Sequence, residues 1–119
     1  MAFHTVVSNK GMVYIFKMML DEDVVVYKVG ITSRKRIEER LGEVLMSFFT
    51  QYRYVPKTTV KRFRKVDNPK GIEGKLHKLL EEYRYCSEKV FSGCTEFFHG
   101  IEEDELLRIY DEVINGRSE

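Results

Sequence analysis

The sequence predicts a small α/β domain of the α+β kind, with a three-stranded, mainly antiparallel sheet flanked by helices. The predicted order is ββαβα followed by a C-terminal helix. Three observations lead there. The β-branched and aromatic runs "GMVYIFKMML" and "DVVVYKVGI" stand on either side of an acidic turn, the pattern of a β-hairpin. Later stretches carry apolar residues at helical spacing, each with a start or stop signal. At 119 residues, a second core would leave each half too small to bury enough surface, so residues 1–119 read as one domain.

The hairpin comes first. If Asp21, Glu22 and Asp23 form a three-residue loop, Tyr14 stands opposite Gly30 and Phe16 opposite Lys28. A two-residue turn would put Tyr14 and Lys28 on different faces. Thr32 and Ser33 then offer an N-cap for a helix over about 34–48, whose stripe is Ile37, Leu41, Val44, Leu45 and Phe48. "YRYVPKTTVKRFRKV" is extended, and Pro56 confines that end to a sheet edge or a bulge. Asp67 or Asn68 can cap the second helix, Pro69 suits its first turn, and Ile72, Leu76, Leu79, Leu80 and Tyr83 form its buried stripe. "TEFFHG" reads as a short strand or turn. The last helix, about 102–115, opens on Glu102, Glu103, Asp104 and Glu105, where the helix dipole is positive, and stops near Asn115-Gly116.

Composition narrows the function classes. With 43% hydrophobic residues and 2 prolines the chain has no disordered bias. "MAFHTVVSNKG" lacks the charged and apolar regions of a signal peptide, and no apolar run nears the roughly 20 residues of a membrane span, so a cytoplasmic protein is expected. The net charge of +1 conceals a split: residues 1–66 hold 13 Lys/Arg against 6 Asp/Glu, and residues 67–119 hold 7 against 13. Either a basic face meets a polyanion, or two solvated faces balance each other. Cys86, Cys94, His77 and His99 lack a short Cys-x-x-Cys or His-x-x-x-His pair, which argues against zinc and for reduced thiols.

A candidate site follows from the hairpin register. Tyr14 and Lys28 share a sheet face, and Gly30 leaves space beside the phenol. Arg40 and Glu73 lie on the shoulders of their helices, with His77 one turn after Glu73. These residue types suit phosphodiester hydrolysis. Arg40 can fork onto phosphate oxygens and Lys28 can add a point charge. Glu73 can anchor one Mg²⁺ or Mn²⁺, and Tyr14, acidified by Lys28 and the metal, could take a proton from water. The structural alternative makes Tyr14 a packing residue and Arg40–Glu73 an ion pair. Further cations offer phosphate contacts: Arg34, Lys35 and Arg36 beside Gly30, then Lys57, Lys61, Arg62, Arg64 and Lys65. For the second group an edge strand protected by lysines is the competing account.

"VYIF" followed at hairpin distance by "YKVGIT" resembles the two-part signature of the GIY-YIG nuclease superfamily. The arginine of "RIEERL" and the glutamate of "GIEGKLHKLLEEYR" match its catalytic arginine and metal-binding glutamate. "TEFF" before a last helix is similar to a compact phage and bacterial branch often described as a DNA-binding domain. The resemblance covers about residues 11–100. It implies Tyr14 as first tyrosine, Gly30 as signature glycine, Arg40 as phosphate-binding arginine, Glu73 as ligand of a single Mg²⁺ or Mn²⁺, and His77 as a site member. Two departures stand out: the second tyrosine position holds Lys28, with Tyr27 beside it facing the other way, and the family's late asparagine has no counterpart near "CTEFF".

The implied function is a small metal-dependent DNA endonuclease in a bacterial or phage-infected cell. It would act as a homodimer or by sequential cuts where a duplex is cut twice. The alternatives are a DNA-binding module of the same fold with weak or no cleavage, and a zinc-stabilised protein-interaction domain. Under the nuclease reading, Tyr14, Lys28, Arg40 and Glu73 ring one solvent-open concavity floored by Gly30, with the Lys57–Lys65 cations on the same side.

Overall fold

The computed structural model describes residues 10–20, 24–85 and 96–116. Four strands and three α-helices follow in order: β1 (Gly11–Met19), β2 (Val25–Thr32), α1 (Ile37–Tyr52), β3 (Lys57–Val66), α2 (Pro69–Leu79), β4 (Phe97–Phe98) and α3 (Glu103–Ile114), with one 3-10 turn (Glu81–Tyr83) after α2. They form a four-stranded antiparallel sheet in the order β3-β1-β2-β4, with three helices. The fold is the predicted α+β class, and the two-residue β4, drawn from "TEFFHG", adds a fourth strand to the three predicted.

Hairpin register is the one a three-residue loop requires: Tyr14 pairs with Gly30 and Phe16 with Lys28. The turn residues 21–23, like Cys86 and Cys94, lie outside the described residues. Pairing across the sheet puts Phe63, Tyr14 and Gly30 in one row, and Val60, Phe16, Lys28 and Phe97 in the next.

Strand alternation separates two cores. Met12, Tyr14, Phe16, Met18, Val26 and Phe97 pack under Ile37, Val44 and Phe48 of α1. Val13, Ile15, Tyr27, Val29 and Phe98 pack under Leu76 and Leu80 near α2 and under Leu106, Tyr110 and Val113 of α3. Each large apolar side chain fully buried this way contributes about 1.5–3 kcal/mol. The Tyr110 hydroxyl donates to the Val13 carbonyl at 2.7 Å, which ties α3 to β1.

Three element details differ from expectation. α1 begins at Ile37 rather than 34, because the Thr32 hydroxyl accepts from the Arg34 N–H (3.0 Å) in the turn before it; the helix then runs on to Tyr52. Asn68 is the residue that caps α2, accepting from Gly71 N–H at 3.2 Å with Pro69 in the first turn. Leu79 is 51% exposed, since the helix ends there and Leu80, fully buried, takes the core position. Among the described residues no helix is long and apolar enough to cross a membrane.

Candidate active site

Gly30 organises the site. A Cβ built on it would lie 2.5 Å from the Tyr14 hydroxyl and 3.2 Å from a Glu96 carboxylate oxygen. Its backbone does not need the left-handed conformation. The glycine is required by close approach, because the Tyr14 ring leans from β1 across β2 into the space a side chain would fill. Tyr14 is fully buried and stacks on Phe16 with 4.2 Å between ring centroids.

Arg40 projects from α1 onto this face. Its Nε donates to the Tyr14 hydroxyl at 3.0 Å, and its Nη1 donates to Glu43 at 3.2 Å. Glu43 also accepts from Arg34, at 2.9 Å from Nε and 2.5 Å from Nη2, so one carboxylate bridges two guanidinium groups. Burial works against the Arg40 charge, yet Tyr14 and Glu43 outweigh it and hold the guanidinium protonated above its ordinary value.

Lys28, only 4% exposed, is the one charged residue in the core among those described. Its ammonium donates to Glu96 and lies 5.1 Å from the centre of the Phe97 ring, its neighbour in the row. Burial lowers the Lys28 pKa against the pull of Glu96. A charge so far from water persists only with such a partner.

Glu73 reaches the group from α2, which packs on the other face of the sheet. Among the described residues, β4 pairs with Tyr27 and Lys28 of β2 and with no β2 residue beyond them. There His77 meets the Val29 carbonyl at 2.8 Å, which requires its Nε2 to carry the proton, and Glu73 lies 3.9 Å from the same ring. Glu73 Oε2 is buried without a hydrogen-bond partner. Burial first, then the Glu96 charge, raises its pKa, and the Glu73 charge acts in turn on both Tyr14 and Lys28.

Tyr14, Lys28, Arg40, Glu73 and His77 therefore gather at the Val29–Gly30 stretch of β2, linked by hydrogen bonds and charge. Three expectations need correction. The centre is not open to solvent at Tyr14 and Lys28, since α1 and the Phe16 and Phe97 rings cover them. The Tyr14 phenol is not acidified: burial outweighs Arg40 and pushes it up to about 12. Glu73 comes from α2, on the layer opposite the one Tyr14 packs in, rather than from the same side; the Arg40–Glu73 pair of the structural alternative is not formed, and Arg40 bonds to Tyr14 and Glu43.

The flanking cations divide. Arg34, Lys35 and Arg36 line a groove of ≈ 400 Å³ with Ser33 and Glu39, near the Gly30 end of β2. On β3, strand pairing places only Lys65 on the Tyr14 face; Lys57, Lys61, Arg62 and Arg64 lie on the α3 side, which corrects the expectation of a shared side. A register shift opposite Ile15 and Phe16 leaves Lys61 and Arg62 together there. Lys61 pairs with Glu103 at 2.8 Å and Arg62 with Asp111 at 3.2 Å.

Two residues were not anticipated from the sequence. Glu43 was legible as an i+3 partner for Arg40. Glu96 stood inside the quoted "TEFF" without a role, and only the register of β4 against Lys28 reveals one.

The T5orf172 domain matches residues 11–114, from the first strand to the last turn of α3. The chain belongs to the T5orf172 domain family. The matched span of this phage-associated domain holds all five gathered residues together with Glu43 and Glu96. No curated protein and no solved structure matches the chain.

Glu73 is the residue at this site with an oxygen left over for a cation. Glu73 Oε2 is a buried acceptor with nothing to accept from, and its repulsion with Glu96 would be relieved by a cation. Among the described residues no group of three His, Cys, Asp or Glu side chains could hold an ion. The protein would thus supply one carboxylate, and an ion held there would draw its other ligands from water and a substrate phosphate.

Proposed function

We propose that this T5orf172 domain is a metal-dependent DNA endonuclease of the GIY-YIG type. The observation that carries the reading is that Tyr14 and Glu96 close on Gly30, with Arg40 on the Tyr14 hydroxyl and Lys28 on Glu96, while the Glu73 carboxylate, one oxygen without a partner, acts through its charge on Tyr14 and Lys28. Occurrence of the domain in nuclease-related proteins supports it.

Arg40 would bind and orient the phosphate, with Tyr14 donating its hydroxyl proton to a phosphate oxygen, a role suited to a phenol held neutral. Mg²⁺ or Mn²⁺ on Glu73 would supply Lewis acidity at the phosphate. The water oxygen forms the new P–O bond as the bond to the leaving sugar oxygen breaks. Lys28, an ammonium that Glu96 holds in place and whose hold on its proton burial has weakened, would give a proton to the leaving oxygen, while the proton of the attacking water passes to solvent.

One observation favours the second reading, a DNA-binding module without efficient cleavage: Lys28 and Arg40 already hold internal carboxylate partners. Supercoiled plasmid incubated with the protein, with Mn²⁺ or Mg²⁺ and with chelator, separates the two. Nicking should need the metal and disappear in Glu73→Ala, with DNA affinity kept within a few fold. A Glu73→Ala variant that nicks as well as wild type would remove Glu73 from the site.

A further inference from the structure

The row that builds the site also carries an aromatic ring the chemistry does not use. Phe63 stands directly opposite Tyr14 on the same face of the sheet, yet it is 52% exposed where Tyr14 is 0%. Strands about 4.8 Å apart put the Phe63 backbone roughly 10 Å from Gly30. Lys65 follows on that face, and Arg64, also exposed, lies between them in the chain.

A half-exposed phenylalanine on an outer strand forgoes burial and invites pairing with other strands. Lys65 on the same face, with Arg64 on the reverse of the strand, reduces that hazard, and an aromatic ring with a cation beside it also matches the plan of a single-strand nucleic-acid groove. There an aromatic face receives a base and cations hold the adjacent phosphates.

We propose that Phe63 is a stacking platform for an unpaired base next to the bound phosphate, so that the substrate is DNA carrying a single-stranded stretch rather than blunt duplex. Paired bases are stacked on one another and cannot reach a side-chain ring without being extruded. The proposal takes the position of the phosphate from the nuclease reading; the binding itself needs no cleavage.

The sequence has no tryptophan, so Phe63→Trp gives a single indole reporter at this position. With chelator present to prevent cleavage, its emission is followed during titration with a single-stranded oligonucleotide and with a blunt duplex of the same length. Quenching should accompany single-strand binding and not duplex binding. Phe63→Ala should weaken binding to the single strand and to a tailed duplex by about 5- to 150-fold, the equivalent of one stacked base, and blunt-duplex binding by less than twofold. Absence of quenching on the single strand, or equal weakening on every DNA, overturns the platform. If wild type with Mn²⁺ cuts nothing while the quenching persists, the nuclease reading fails and the platform stands. Cutting without quenching removes the platform alone.

Discussion

Gly30→Ala tests the geometry of the site through stability, with no assumption about activity. The added methyl would sit 2.5 Å from the Tyr14 hydroxyl and 2.7 Å from its Cζ, both closer than packed atoms approach. Tyr14 has little room to retreat. It is fully buried, stacked on Phe16 and bonded to Arg40, which Glu43 holds in turn. Forced overpacking costs about 1–3 kcal/mol, and loss of the hydrogen bond adds about 1 kcal/mol. Against this, alanine restricts the unfolded chain and returns about 0.4–1 kcal/mol. The net is a destabilisation of about 1–3 kcal/mol, or roughly 4–12 °C in Tm for a chain of this size.

The same substitution at two other positions supplies the control. Gly42 and Gly74 lie inside α1 and α2, and a Cβ on either meets nothing within 4 Å. Gly42→Ala and Gly74→Ala should each stabilise by about 0.5–1 kcal/mol, because glycine in a helix interior is costly. Thermal and urea denaturation of the three variants therefore give two signs from one chemical change. A Gly30→Ala protein as stable as wild type, while the helix variants gain, would refute the account of Gly30 as a forced vacancy.

Two further outcomes are expected. Glu73→Gln should raise Tm at neutral pH and abolish nicking: the folded-state pKa of Glu73 lies above its unfolded value, so its penalty is absent at low pH, grows as pH rises through that window and is complete above it. Denaturation at several pH values reads this, and a variant less stable than wild type at neutral pH would show that Glu73 has a stabilising partner. The Lys61→Ala, Arg62→Ala double variant should lose about 1 kcal/mol of stability while the salt dependence of DNA binding stays unchanged, because both cations serve α3. Glu103, held down to about 2 mainly by Lys61 and Lys17, contributes stability present above 4.5 and lost as pH falls toward 2, so this deficit should close at acid pH. A salt slope shallower by about 1 per cation would return Lys61 and Arg62 to the DNA surface.

The parts legible in the sequence are those fixed by local periodicity. Strand alternation and the hairpin loop decide that Tyr14 meets Gly30, and helical spacing decides that Ile37, Val44 and Phe48 face the sheet. The parts that were not legible depend on partners distant in the chain. No pattern in "KTTVKRFRKV" shows that a bulge turns Lys61 and Arg62 toward α3, because that depends on how β3 meets β1 between Ile15 and Phe16. Burial of Lys28 was equally hidden, since it depends on Glu96, 68 residues away. The site's direction of approach was missed for a related reason: Glu73 stands on α2, which packs on the layer opposite Tyr14.

The distribution of unfavourable features is itself informative. Ion pairs on the α3 side, Lys61–Glu103 and Arg62–Asp111, have partners of opposite charge at ordinary distances, as a structural surface should. Around Gly30 the cations are paired too, Lys28 with Glu96 and Arg40 with Glu43, but other features there are costly. A lysine is buried, a carboxylate oxygen lacks a partner beside a second carboxylate, and a phenol occupies the place of a side chain. Each feature costs stability, and a sequence specifying only this fold would avoid them by placing apolar residues at Lys28 and Glu73. Their concentration at one end of β2, on residues from two strands, two helices and the approach to β4, is what a binding site for a phosphate and a cation requires. A cation would satisfy the Glu73 oxygen that the protein leaves without a partner, and a phosphate would compete with Glu96 and Glu43 for Lys28 and Arg40. On that argument, adding Mn²⁺ together with a DNA oligonucleotide should raise the Tm of wild type more than that of Glu73→Gln.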